Sequence, residues 1–203
     1  MDGKGQIVSS PAKISLEDFF KTEYESDIRH EYRNGTVLPM AYASERHELI
    51  VANLIRLIGN CILESDCLVY GSNLMLYIPF CNRTFYPDVT LACGKRTFHQ
   101  YSENMRALLN PTALIEVSSD STVDKDRIDK WRCYKKISSL QQYLLISQED
   151  KYIQILNRNA GENSWLETEA DNDDDAVTIG NCKILVKDIY RNIIFEQGEK
   201  VSD

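Results

Sequence analysis

A chain of 203 residues, 43% of them hydrophobic and 27% charged, has the length and composition of a globular protein with one domain and a substantial core. It contains no run of about 18 apolar residues, which excludes a membrane-spanning helix. Residues 1–11 contain no apolar run of the kind that defines a secretory signal, so we expect a cytoplasmic protein. The net charge of −8, taken as a single number, argues against a large nucleic-acid-binding surface.

The charge is unevenly distributed along the chain, which weakens that last objection. Residues 161–175 contain seven acids and no base, and these seven acids account for most of the net charge. Residues 125–136, by contrast, contain six basic residues against Asp126 and Asp129. Because local fields steer partners more strongly than the total charge does, this basic segment keeps a nucleic-acid partner compatible with the sequence.

The order of apolar and polar residues predicts helices mixed with strands. Ser15 is predicted to cap a first helix, Asn34-Gly35 to form a type I′ hairpin turn, and Ser44 to cap a second helix with an apolar stripe. The later elements are strands within 67–79 and 85–93, a helix at 101–109, a strand at 113–118, a helix at 123–137, paired strands within 141–158, a strand near 164–168 and a short helix within 186–193. This order predicts an α/β (α+β) fold, a mixed β-sheet flanked by helices.

The six cysteines contain no C-x-x-C pair, and several lie within apolar segments. This pattern favours free thiols in a reducing cytoplasm over a framework of disulfides. A zinc site is the weaker alternative, because the three histidines (His30, His47 and His99) are scattered along the chain as well.

Two apolar segments each contain one carboxylate, Asp88 in TFYPDVTLACG and Glu116 in ALIEVS. Because side chains alternate across a strand, Val89 and Ile115 are predicted to face away from the two acids. An isolated buried carboxylate is costly, and a bound cation is one remedy, so two carboxylates on neighbouring strands suit Mg²⁺. From these strands alone, an acid at a strand end or a salt bridge to a nearby base is the favoured interpretation.

Six segments of the chain occur together in the order and spacing of one protein family. They are IRHEYRNGTV, ERHELIVANL, YPDVTLACG, ALIEVSSDST, DRIDKWRCY and ISSLQQYLLIS. In these segments the chain resembles the Uma-type family, a branch of the PD-(D/E)XK superfamily of restriction-endonuclease-like nucleases. The resemblance extends from about Ser15 to Arg158, with a weaker continuation to about Tyr190. Because fold alone does not determine function, it supports the fold more strongly than the activity.

The resemblance implies a site that hydrolyses phosphodiesters with a metal ion. Asp88 and Glu116 would bind Mg²⁺, with Mn²⁺ as a substitute, and the main-chain carbonyl of Val117 would add an oxygen ligand. The superfamily places a lysine two residues after the second acid, where this chain has Ser118. In this branch the lysine lies in the following helix, and Lys130 occupies the matching position. Without the resemblance, Lys130 would be interpreted as a solvated helix residue.

Three further residues complete the predicted site. Glu31 precedes the Asn-Gly turn and is predicted to be a third acid near the metal, as a ligand or through a bound water; the alternative is an ion pair with Arg29 or Arg33. His47 matches a histidine of the family and is predicted to support a ligand or contact phosphate, although a core-edge histidine is the simpler interpretation. Asp120 departs from the family pattern and adds negative charge near the site, unless it points to solvent.

The resemblance therefore implies a Mg²⁺-dependent endonuclease that acts on DNA, without a membrane partner, and it allows a homodimer that cuts both strands. The predicted organisation is an N-terminal extension (1–14), one nuclease-like domain (15–191) and a C-terminal tail (192–203). The alternative, motivated by Ser118 and Asp120, is a catalytically inactive module of the same fold that binds DNA or a protein partner. A third interpretation, a metal-independent structural protein, requires the carboxylates to pair with arginines.

Overall fold

A computed structural model describes residues 13–103, 105–118, 124–161 and 164–195. These residues form a mixed α+β domain, which confirms the predicted fold class. The helices are α1 (Leu16–Glu25), α2 (Glu45–Cys61), α3 (Asp124–Tyr134) and α4 (Val186–Ile189), with a 3₁₀ turn at Pro79–Cys81. Within the described ranges no helix is both long and apolar enough to cross a membrane. Asp120 and most of the predicted extension and tail lie outside these ranges.

In the described part of the chain, the strands form two six-stranded sheets and one hairpin, instead of the single sheet that the sequence predicts. In chain order they are β1 (His30–Arg33), β2 (Thr36–Pro39), β3 (Cys67–Gly71), β4 (Leu76–Ile78), β5 (Arg83–Phe85), β6 (Val89–Cys93), β7 (Phe98–Gln100), β8 (Arg106–Leu108), β9 (Ala113–Ser118), β10 (Gln142–Ser147), β11 (Ile153–Arg158), β12 (Trp165–Ala170), β13 (Ala176–Ile179) and β14 (Cys182–Leu185). The first sheet has the order β2-β1-β5-β4-β8-β7 and the second β12-β11-β10-β9-β6-β3. The β4–β8 and β9–β10 pairs are parallel, so both sheets are mixed.

Local capping and turn residues act as the sequence predicts. The Ser15 hydroxyl accepts a hydrogen bond from the Asp18 N–H (3.0 Å) at the start of α1. The Ser44 hydroxyl accepts one from the His47 N–H (3.2 Å) at the start of α2. Asn34 and Gly35 have φ angles of +47° and +97°, the left-handed backbone that a type I′ turn requires between β1 and β2. These side chains define where the elements next to the acids begin.

The second sheet has a separate apolar core on each face. On one face, Ile50 and Leu54 of α2 pack against residues of β6 and β9 that include Val89 and Ile115. On the other face, Leu114 of β9 packs with residues of α3 and of the first sheet in a second core. The alternation therefore points Val89 and Ile115 toward α2, and points the intervening positions of both strands toward α3.

The predicted helix at 101–109 is wrong, because the described part of this segment contains strand β8. Ala107 and Leu108 are both fully buried but belong to different cores, on opposite sides of the first sheet. Consecutive side chains point to opposite faces only in a strand. β8 also pairs with β4, where Leu108 lies opposite Leu76. At 107–108 the strand is therefore buried on both faces. A strand of this kind has consecutive apolar residues, and in the sequence such a run is easily mistaken for part of a helix.

The expectation of free thiols is also wrong, because all six cysteines are paired. The disulfides are Cys61–Cys182, Cys67–Cys93 and Cys81–Cys133. Cys67 and Cys93 lie directly opposite each other in the β3–β6 ladder. The other two pairs join elements that only the folded chain brings together. Sequence spacing alone does not reveal such connections.

The length of the closed loop predicts which disulfide stabilises the fold more. Cys61–Cys182 closes a loop with a sequence separation of 121, against 26 for Cys67–Cys93. Because closure entropy grows with the logarithm of loop length, replacing the first pair with alanines should lower the free energy of unfolding by about 1.4 kcal/mol more than replacing the second. Urea unfolding under oxidising conditions measures this difference, which should shrink when a reducing agent is present. Reaction of all six cysteines with iodoacetamide in the unreduced, denatured parent would contradict the disulfides.

Candidate active site

A single cleft brings together most of the residues that the sequence predicts for the site. It has a volume of about 740 Å³ and lies where β6 begins and β9 ends. Its walls include His47, Asp88, Glu116, Val117 and Lys130. Glu31 does not line the cleft, but its carboxylate lies 3.5 Å from the amine of Lys130. The six predicted residues therefore form one connected group.

The register of β6 against β9 explains why the two acids meet. The strands are antiparallel, and their pairing ends with Val89 opposite Ile115. Continued by one residue, this register brings Asp88 opposite Glu116. Directly opposite residues point to the same face, with Cβ atoms about 5 Å apart. The two carboxylates thus share the face that looks toward α3, although 28 positions separate them in the sequence.

Asp88 is buried and has two donors at one of its carboxylate oxygens. The main-chain N–H of Val117 donates to Oδ2 at 2.8 Å, and Nε2 of His47 lies 3.2 Å from the same oxygen. In an extended strand the N–H and C=O of one residue point to the same edge, so the Val117 carbonyl is directed to the side of Asp88. Where the main-chain pairing of β6 with β9 ends, the Asp88 side chain therefore links the start of β6 to the end of β9.

Glu116 is buried in contact with two residues of α3. The Tyr134 hydroxyl donates to Oε1 at 2.7 Å, and the Lys130 amine lies 3.4 Å from Oε2. Burial and the charges of Asp88 and Glu31 together raise the pKa of Glu116 to about 7, against the opposing effects of the Lys130 charge and the Tyr134 hydrogen bond. The surroundings of Glu116 thus disfavour its ionised form, and a cation bound in the cleft would stabilise that form.

Lys130 lies between two acids that come from different sheets. Its amine is 3.5 Å from Glu31 on β1 and 3.4 Å from Glu116 on β9. Glu31 also forms an ion pair with Arg33 at 3.2 Å. The ion pair that the sequence leaves open as an alternative for Glu31 is therefore present together with the contact to Lys130. Arg127, one turn earlier on α3, instead donates to Gln154 on β11 and leaves the site. Among the basic residues of 125–136 whose side chains the structure describes, Lys130 is therefore seen to reach the two acids.

His47 occupies the first turn of α2 and is largely buried. Burial lowers the pKa of His47, but the hydrogen bond to Asp88 and the charges of Asp88, Glu48 and Glu116 outweigh burial, so the pKa of His47 is raised above its usual value. A protonated imidazole donates to the Asp88 carboxylate. The histidine is thus joined to the first acid, and does not belong to the α2 core.

The donor set fits a hard divalent ion of the Mg²⁺ class. Within the described ranges, no three side chains of His, Cys, Asp and Glu converge closely enough to form a metal centre. Glu31 therefore does not complete a three-carboxylate centre. Mg²⁺ needs only one or two carboxylates, because water and phosphate oxygens supply its other ligands. Asp88, Glu116 and the Val117 carbonyl supply oxygen atoms of that kind.

Two sets of contacts at the site are absent from the sequence-based prediction. Tyr134 lies one turn after Lys130 on α3, and its hydroxyl is the donor to Glu116. The second set joins Arg29, Tyr86 and Glu23, which come from separate elements. Helical spacing was the available signal for Tyr134. No local pattern connects Glu23 to Tyr86, which lies 63 residues further along.

Comparisons with known proteins point to one family. The profile of the Uma2 family, described as "Putative restriction endonuclease", matches residues 16–182. Two proteins of Synechocystis sp. (strain ATCC 27184 / PCC 6803 / Kazusa), the uncharacterized proteins sll1609 and slr1290, are each 29% identical to this chain. These alignments cover 80% and 93% of this chain, and 90% and 100% of the relatives.

A solved structure supports the same fold. The crystal structure of a "putative nuclease belonging to DUF820" from Anabaena variabilis ATCC 29413 superposes with a TM-score of 0.65 at 16% identity. The superposition covers 87% of this chain and 98% of the Anabaena chain. At this level of identity the similarity is evidence for the fold. Because the Uma2 profile spans most of the chain and includes every residue of the cleft described above, the chain belongs to the Uma2 family of restriction-endonuclease-like proteins.

Proposed function

We propose that the chain is a Mg²⁺-dependent endonuclease that hydrolyses phosphodiester bonds in DNA. The observation that carries the proposal is the position of Asp88 opposite Glu116 on one face of the second sheet, in a cleft that Lys130 also lines. Two buried carboxylates beside one lysine suit phosphoryl chemistry, because cations must offset the charge that builds up on phosphate oxygens. Membership of a family of restriction-endonuclease-like proteins supports the same reaction.

In this proposal Asp88, Glu116 and the Val117 carbonyl hold the metal ion. When bound, Mg²⁺ supplies Lewis acidity, which lowers the pKa of a coordinated water and neutralises charge on the phosphodiester. The Val117 N–H holds Asp88 at the end of β9, so that both carboxylates face the cleft together. Burial excludes competing water from the two acids and strengthens their attraction for a cation.

Lys130 is proposed to act on the phosphate or on the attacking water. Its amine reaches the acids from α3, and the contact with Glu31 holds the amine beside Glu116. An ammonium group at this position can donate to a non-bridging phosphate oxygen or orient a water molecule. In this arrangement Lys130 replaces the lysine that the superfamily places where this chain has Ser118.

His47 and Tyr134 are proposed as positioning residues. His47 donates to Oδ2 of Asp88, and Tyr134 donates to Oε1 of Glu116. The other carboxylate oxygen of each acid accepts neither of these two hydrogen bonds. Hydrogen bonds of this kind fix the orientation of metal-binding carboxylates. The two donors come from α2 and α3, on opposite faces of the sheet.

Removing the acids should abolish both metal binding and cleavage. Asp88→Asn and Glu116→Gln should show no stoichiometric Mn²⁺ binding by calorimetric titration and no cleavage of plasmid DNA in Mg²⁺. Lys130→Met should lower the cleavage rate by about 10²- to 10⁴-fold but retain Mn²⁺ binding, because the amine is not a ligand. Glu64→Gln, an exposed acid outside the cleft, serves as the control and should behave as the parent.

Two results would contradict the assignment in different ways. Cleavage by Asp88→Asn and Glu116→Gln at the rate of the parent would show that the reaction uses another site. A parent protein that binds DNA, but neither binds Mn²⁺ nor cuts DNA, would establish the inactive binding module instead.

Removing the imidazole should weaken the site without abolishing it. His47→Phe should lower Mn²⁺ affinity or the cleavage rate by about 10- to 100-fold, the usual effect of losing a residue that orients a metal ligand. His47→Gln retains an N–H donor and should lose less. The matched control is His99→Phe, because His99 stacks on Phe20 outside the cleft. Equal metal affinity and rates in all three variants would exclude a positioning role for His47.

The Tyr134 hydroxyl should contribute to stability because its acceptor is buried. Tyr134→Phe leaves the Glu116 carboxylate without that donor, so the free energy of unfolding should fall by about 1–3 kcal/mol. The control is Tyr152→Phe, which removes an exposed hydroxyl bonded to Glu169 and should change stability by less than about 0.5 kcal/mol. Urea denaturation of the two variants measures both values. An equal fall in the free energy of unfolding for the two variants would show that burial of Glu116 does not strengthen the contribution of this hydrogen bond.

A further inference from the structure

The cleft contains a second cation, Arg29, which the proposed hydrolysis does not use. Arg29 lies just before β1, is half-buried, and lines the same cleft as Asp88 and Glu116. Lys130, the other lysine or arginine among the described residues that line the cleft, is paired with two acids. Among the described residues, none forms an ion pair with Arg29. A half-buried guanidinium that forms no ion pair with these residues attracts an anion.

The fold holds the Arg29 side chain in one place. One terminal nitrogen donates to the main-chain carbonyl of Ser72, and the guanidinium lies over the ring of Tyr86, 5.8 Å from its centroid. The main-chain carbonyl of Arg29 accepts from the N–H of Met40 at 2.9 Å. A guanidinium has five N–H groups, so the contact with Ser72 leaves donors for a ligand. The long side chain is therefore ordered before any ligand arrives.

Glu23, the acid that holds the ring beneath Arg29, is engaged with other donors. Glu23 is buried and accepts from the Tyr86 hydroxyl (2.8 Å) and the His30 N–H (2.8 Å), and Nδ1 of His30 lies 2.9 Å from its other oxygen. Glu23 thus anchors the ring beneath Arg29 without neutralising the guanidinium directly. This anchoring orients the cation toward the cleft.

Arg29 lines the same cleft as the two acids. The ring beneath its guanidinium belongs to Tyr86, and the Cα atoms of Tyr86 and Asp88, two residues apart, are at most about 7 Å from each other. A strand held by one phosphodiester at Asp88 and Glu116 would therefore present a neighbouring linkage to the part of the cleft that Arg29 lines. The planar guanidinium matches two oxygens of a phosphate group at once.

We propose that Arg29 binds a second phosphodiester group of the same nucleic-acid strand, beside the group held at Asp88 and Glu116. This inference rests on the proposed function, since it places the reacting linkage at the two acids. It identifies the substrate as a polynucleotide strand with consecutive phosphates, because a compound with a single phosphodiester would leave Arg29 unsatisfied. The contact uses backbone oxygens, so it positions the strand without reading its sequence.

The test measures DNA binding separately from cleavage. A fluorescein-labelled duplex is titrated with protein in Ca²⁺ at several salt concentrations, and fluorescence anisotropy gives the affinity. Arg29→Gln should weaken binding at least about tenfold, since a charge-assisted contact is lost. It should also reduce the slope of log K against log salt by about 0.9, the contribution of one phosphate contact. Arg29→Lys keeps the charge and should retain the slope with part of the affinity.

Arg56→Gln is the matched control, because Arg56 is exposed on α2, donates to Asn53 and lies outside the cleft. Its affinity and slope should equal those of the parent. Equal slopes in the parent and Arg29→Gln, or no DNA binding by the parent, would overturn the second phosphate site. Loss of slope in both Arg29→Gln and Arg29→Lys would overturn it as well, since a charge contact survives in the lysine variant.

Cleavage in Mg²⁺ by the parent is scored independently of this binding assay. A parent that fails to cut DNA, while Arg29→Gln still loses one phosphate contact, would overturn the hydrolysis and support the phosphate site. A parent that cuts DNA with an unchanged slope in Arg29→Gln would support the hydrolysis and overturn the phosphate site.

Discussion

The antiparallel register between β6 and β9 is the constraint on which the candidate site depends. The pairing ends at Val89 opposite Ile115, and Asp88 and Glu116 occupy the next opposed position. At that point the Val117 N–H has no β6 partner in the ladder and donates to the Asp88 carboxylate instead. A shift of the register by one residue would move one acid to the α2 face, where the apolar core lies. The apolar residues that set the register therefore also set the distance between the acids.

This arrangement makes the site costly for the fold. Glu116, Asp88 and Glu31 lie near one another with little solvent, and burial with mutual repulsion raises the pKa of Glu116 to about 7. Lys130 and the Tyr134 hydroxyl offset part of this cost through direct contacts with Glu116. Replacing such a group with packed apolar residues is often neutral or stabilising, so stability alone does not explain a cluster of three buried acids. A cluster of this kind is expected where function requires it.

The sequence predicts the structure correctly where local chemistry or period-2 alternation determines it. Ser15, Ser44 and the Asn34-Gly35 turn form the predicted caps and hairpin, and the alternation places both acids on one face. The sequence does not predict the structure where both sides of an element are buried, as at 107–108, or where pairing depends on the tertiary fold, as for the cysteines. The prediction of Lys130 as a site residue rests on the family resemblance alone, because a helix lysine has no local signal of its target. Arg29 could not be found, since its partners Ser72 and Tyr86 are more than forty residues away.

The acidic character of the chain does not oppose a phosphate ligand at this cleft. Glu167 and Glu169 lie on β12, three strands from β9, which corresponds to about 14 Å across the sheet. That separation exceeds the screening length of about 8 Å at physiological ionic strength. Further along the acidic segment, Asp173 pairs with Lys151 and Asp174 with Lys187, so part of its charge is neutralised locally. The field that a phosphate meets in the cleft is therefore set by Arg29, Lys130 and the acids beside them, and the net charge of −8 carries little information about that field.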